Sequence, residues 1–136
     1  MQIKRFKKYP QIGEDAIVKY FNKEIVDFIK RPEFHIANTE VFMFVDKEEV
    51  NIIVEEGVDT IIYDITESLM KPTIVEKIKN KDILIFINEG KYPNYVFYGV
   101  YRLENPYTIA SGVEGPVTKS DVPLKFKLVS ENYEIR

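Results

Sequence analysis

Cysteine and tryptophan are absent from this 136-residue chain, and histidine occurs once. Without cysteine there is no disulfide, no thiolate nucleophile, no zinc ribbon and no iron–sulfur cluster. With His35 as the only imidazole, a His-rich metal site is excluded, and a Ser–His–Asp triad has one candidate base. Glu33, Phe34, Ile36 and Asn38 around it form no motif, so His35 reads as structural or merely exposed. No GxGxxG or Walker A sequence is present, which removes the standard phosphate cradles. No run reaches the roughly 18 uninterrupted apolar residues that span a bilayer. The basic opening MQIKRFKKYP leads into no apolar signal core. A soluble cytoplasmic protein with no cofactor and no membrane partner is the expectation.

What remains is an ordinary globular composition, 45% hydrophobic and 30% charged, rich in Tyr and Phe. A chain of this length reads as one domain, 1–136. The net charge of -3 conceals a segregation. Residues 1–34 carry 8 basic against 5 acidic groups, residues 35–70 carry 1 against 9, and residues 71–136 carry 10 against 8. Segment 46–67 holds most of that acidity and could dock a basic partner protein or mimic nucleic acid. Surface charge of this kind also needs no partner.

The spacing of Ile17, Phe21, Ile25, Phe28 and Ile29 predicts a helix over Gly13–Arg31, stopped by Pro32. Residues 33–40 read as a connection. Val41–Val45 reads as a strand. Asp46 and Glu49 have capping-box spacing for a helix over Lys47–Glu56 that ends at Gly57. Thr60–Ile65 is the next strand, parallel to Val41–Val45 if both share a sheet. Pro72 opens a helix to Asn80 with Ile74, Val75 and Ile78 inward. Asp82–Leu103 holds two nearly unbroken apolar runs around a polar turn, which reads as a hairpin buried on both faces. Residues 106–121 read as a long loop, and Leu124–Val129 alternates as a half-exposed strand near an edge. The expected class is α+β: a mixed sheet or partly open barrel, about three helices, and a central hairpin at 82–104.

Two constellations carry candidate chemistry. Lys91, Tyr98, Arg102 and Tyr107 gather around the hairpin, where tyrosines can stack on bases and cations can meet phosphates. Tyr98 and Arg102, four apart on a period of two, are expected on one strand face. Asp46 and Asp64 end two strands and could hold Mg²⁺ for phosphoryl transfer or nuclease chemistry, with Lys47 and Glu67 nearby. Asp46 is equally explained as an N-cap.

The run KNKDILIFIN, a turn, and YVFYGVYRLEN resembles the heart of PUA-like domains, the group with EVE, ASCH and SRA modules. Lys81–Asp82 stands where Gly–Asp is common in that group, and Phe97-Tyr98-Gly99-Val100 stands for its aromatic–Gly–apolar motif. The resemblance covers about residues 41–104. It implies a barrel that cradles RNA or a flipped or modified base. The leading expectation is therefore a non-enzymatic nucleic-acid or nucleotide-binding module. Its rivals are a small acidic interaction factor, for instance of viral or mobile-element origin and acting as a homodimer, and the Mg²⁺-dependent enzyme.

Overall fold

A computed structural model describes residues 2–9, 21, 23–30, 33–55, 57–63, 71–90, 94–104 and 124–135. The strands are β1 (Gln2–Ile3), β2 (Lys8–Tyr9), β3 (Asp27–Ile29), β4 (Glu33–Ile36), β5 (Glu40–Asp46), β6 (Val50–Glu55), β7 (Val58–Tyr63), β8 (Asp82–Asn88), β9 (Tyr95–Glu104), β10 (Leu124–Ser130) and β11 (Tyr133–Glu134). A 3₁₀ turn, Lys47–Glu49, joins β5 to β6, and a helix, α1 (Lys71–Ile78), precedes β8. The order across the main sheet is β3-β4-β5-β8-β9-β10-β7-β6, and β2 also pairs with β9. β1 and β11 form a separate small ladder.

Among the described residues the architecture is mostly β. This overturns the α+β expectation of about three helices. Three local readings fail for physical reasons. Phe21 is helical, but Asp27–Ile29 is a strand paired with β4, so the expected helix does not run on to Arg31; residues 10–20, 22, 31 and 32 lie outside the described residues. β4 occupies what read as a connection, because its His35 and Glu33 masked the strand pattern. Val50–Glu55 is a strand, not a helix. Four of its six residues are β-branched, which favours the pleat. The capping signal itself is present: the Asp46 N–H donates to Glu49 Oε1 at 2.9 Å, but it starts only a single 3₁₀ turn. Gly57 has the left-handed φ of 79°, and it serves a hairpin between β6 and β7.

The expected parallel pair also changes partner. β5 pairs in parallel with β8, in register from Glu40–Asp82 to Asp46–Asn88, and the crossover between them contains α1. Ile74, Val75 and Ile78 of α1 are buried, as their spacing predicts. β8 and β9 form an antiparallel hairpin at the middle of the order. β10 alternates as expected, with Leu124 and Phe126 fully buried, but it lies between β9 and β7 instead of near an edge.

The sheet must curl. The turn from Asp46 to Val50 can reach at most roughly 14 Å. In a flat sheet β6 would lie five strand spacings from β5, roughly 24 Å. Curling closes that gap, and Phe34 of β4 meets Phe126 of β10 across the concave side with ring centroids 6.5 Å apart. The concave face buries Met43, Ile83, Ile85, Ile87, Tyr98 and Tyr101 together with α1. The convex face buries Phe42, Phe44, Leu84, Phe86, Phe97 and Val100 beneath Ile3 and Phe21. Each apolar side chain so buried stabilises the fold by about 1.5–3 kcal/mol.

Gly99 interrupts the alternation. Ile85 pairs with Gly99 but Phe86 pairs with Phe97, so Tyr98 is an extra residue in β9. Gly99 has φ of 131°, and a Cβ there would stand 2.7 Å from Leu128 Cδ1 and 2.9 Å from Ser130 O. Glycine is therefore required by both backbone conformation and close approach.

Candidate functional site

The bulge at Gly99 separates the two hairpin residues expected to act together. Tyr98 joins the concave core and is 9% exposed. Its hydroxyl donates to Glu89 Oε1 at 3.1 Å, and its ring meets Phe6 edge-on at 5.5 Å. Burial, followed by the Glu89 charge, pushes this phenol above its ordinary pKa. After the bulge, Val100 and Arg102 lie on the convex side, opposite Tyr98 and Tyr101. The shared face predicted from a period of two is thus corrected. Lys91, Tyr107 and Asp64 lie outside the described residues, as does Glu67.

Arg102 lines a cleft of about 820 Å³ at the N-terminal ends of β5 and β8. Three elements bring cations to it. The segment before β3 supplies Lys23, the exit of α1 supplies Lys79 and Lys81, and β9 supplies Arg102. Asn80 takes a left-handed φ of 61° after the helix, which turns the chain into β8. Val100, Val129 and Tyr133 add apolar surface to the same cleft.

Carboxylates and a backbone carbonyl hold these cations in place. Arg102 Nε donates to Asp82 Oδ1 at 2.9 Å, and both side chains are about half exposed. A pair this wet contributes little to stability, which leaves the guanidinium available to a better acceptor. Lys81 Nζ donates to the Ala37 carbonyl at 3.2 Å. Glu40, only 8% exposed, sits deeper. Burial pushes its carboxyl up, but the Thr39 hydroxyl, Lys23 at 2.9 Å and the Tyr133 hydroxyl at 3.1 Å outweigh that, and its pKa falls below the ordinary range. Glu40 therefore fixes Lys23 and Tyr133 at the cleft wall.

At the opposite ends of β5 and β8 lies a cleft of about 470 Å³ lined by Asp46, Lys47, Glu48, Asn88, Glu89 and Gly90. The Asp46 carboxylate accepts the Asn88 amide at 3.1 Å. Among the described residues no group of three or more His, Asp or Glu side chains gathers as a metal site. β5 and β7 are not parallel neighbours, which corrects the expected strand pairing; Asp64 itself lies outside the described residues.

Sequence reading missed one further cluster. Arg5 is bound to Asp59, donates from Nε to the Tyr98 carbonyl at 2.7 Å, and reaches the Tyr101 hydroxyl at 3.4 Å. Burial opposes the guanidinium charge, but Asp59 and Tyr101 prevail, and its pKa is raised. No local signal marks a pair 54 positions apart in the chain. Its role is to pin the N-terminal segment to the sheet. Lys23, Lys79 and Lys81 of the large cleft were also missed as a group, since only the crossover topology unites them. His35 is buried, with Nε2 2.9 Å from Glu33 Oε2 and rings of Phe28 and Phe44 on either side. Comparison with protein-family models, with curated proteins and with solved structures returns no match.

Proposed function

We propose that this chain is a non-enzymatic binding module for a nucleotide or a short single-stranded nucleic acid, held in the large cleft. The observation that carries the reading is the convergence of Lys23, Lys79, Lys81 and Arg102 on one concavity that also offers the Tyr133 ring and Val100. Cations on separate elements meet successive phosphates, and an apolar wall accepts a base. Arg102 exchanges Asp82 for a phosphate oxygen, and Lys81 exchanges a carbonyl. The PUA-like resemblance of Phe97–Val100 agrees with this reading, with the working surface moved from Tyr98 to the cleft.

The test is a fluorescence anisotropy titration with labelled oligonucleotides of every base type and with labelled nucleotides, at several salt concentrations. For three or four phosphate contacts to a single strand, log K should fall with log salt at a slope of about −2 to −3. Arg102→Glu and Lys81→Glu should each weaken binding and make the slope shallower. A flat titration at low salt with every probe would refute the proposal.

A further inference from the structure

We infer that β6 is a docking edge for a partner protein that presents an extended, basic segment as an added strand. β6 is the terminal strand of the main sheet, and among the described residues its outer edge pairs with nothing. Ile53 is 37% and Val54 63% exposed, so the strand carries apolar side chains into solvent. Proteins usually guard such an edge with lysine, proline or a bulge. VNIIVE contains neither lysine nor proline, and its register with β7 runs without a shift from Val50–Tyr63 to Glu55–Val58.

Charge selects the occupant. The strand is preceded by exposed Asp46, Glu48 and Glu49 and ends at Glu55. Lys47 is the single cation between residues 46 and 63, against six acidic residues. A second copy pairing through the same edge would bring a second, equally acidic 46–63 segment against the first. Like charges facing each other across a ladder oppose pairing. A segment that alternates apolar residues with lysine or arginine meets no such penalty. It would satisfy the free backbone groups of β6, set its apolar side chains beside one of Ile53 and Val54 and the aliphatic stems of its cations beside the other, and neutralise the acidic flanks. This surface is separate from the large cleft and does not depend on its ligand.

The probe is a short synthetic peptide alternating valine and lysine, with a valine–glutamate peptide as control. The valine–lysine peptide should bind, its affinity should fall as salt rises, and the amides of residues 50–55 should gain at least about tenfold protection from hydrogen exchange. An Ile53→Lys/Val54→Lys double variant and, independently, Glu48→Lys should each weaken binding while the unfolding transition is retained. Protection confined to other strands, or equal binding by the double variant, would overturn the proposal. So would a concentration-dependent dimer that the double variant abolishes, because that assigns the edge to a second copy.

Discussion

The β8–β9 and β6–β7 hairpins are built from similar material and live in opposite environments. Both are dominated by β-branched and aromatic residues, and both hairpins contain a glycine at positive φ. β8–β9 has a strand on each side, and Ile83 to Ile87 are fully buried. Among the described residues β6–β7 has a neighbour on one side only, and Ile53 and Val54 are exposed. Composition made both into strands. Place in the order decided which became core and which became surface.

The largest effect that separates them should come from truncating one side chain in each. Phe86 contacts the rings of Tyr9, Phe21, Phe44 and Phe97 and is fully buried. Phe86→Ala should cost about 4 kcal/mol in chemical denaturation. Ile53→Ala should cost less than about 1 kcal/mol. Comparable costs would erase the distinction.

Asp59 asks whether the edge hairpin is tied down by charge. Its side chain is 9% exposed and its partner Arg5 16%. Asp59→Ala leaves the half-buried guanidinium with only the exposed Glu131 carboxylate, 3.8 Å away, as a charged partner, and should cost about 2–3 kcal/mol. An Arg5→Met/Asp59→Leu double variant should recover most of that loss; if it is no better than the single variant, the pair is not the anchor.

Gly99 sharpens the account of the central hairpin. Gly99→Ala must fit a methyl 2.9 Å from a backbone carbonyl at φ of 131°, and should cost about 2 kcal/mol. A stability unchanged in urea titration would show that the bulge can relax, which would also reopen a common face for Tyr98 and Arg102.

The last effect, confined to strongly alkaline solution, is a pH dependence of the core. Burial pushes Tyr101 up to about 12 from an ordinary 10.0. A raised folded-state pKa means the stabilisation is complete below pH 10 and disappears as pH climbs through 12. Thermal unfolding should therefore begin to fall within that window, and Tyr101→Phe should flatten the decline. At the acidic end Glu40 has the opposite sign. Its lowered pKa gives stability that is present above the ordinary carboxylate range and lost as pH falls through the folded-state value.

Local signals were readable where one element determined its own environment. The β8–β9 runs, the inward face of α1 and the alternation of β10 are all visible as residue spacing. What stayed hidden depended on pairing. β4 carries His35 and Glu33, whose polarity looks like a loop until Phe28 and Phe44 are seen to cover the ring. In β6, Val50, Ile53 and Val54 satisfy a helical spacing as well as a strand, and the β7 partner decides. Gly99 inside a strand was a visible hint of a bulge, and neglecting it placed Tyr98 and Arg102 on the same face. Of the candidate site, Arg102 was legible as a cation beside the hairpin. The lysines that join it come from elements far apart in the chain.

Amide hydrogen exchange on the free protein tests the central contrast most directly. The account predicts that Ile83–Ile87 exchange only through global unfolding, whereas amides on the free edge of Val50–Glu55 exchange faster by orders of magnitude. Uniformly strong protection across both segments would contradict it, because β6 would then be paired and the edge described here would not exist.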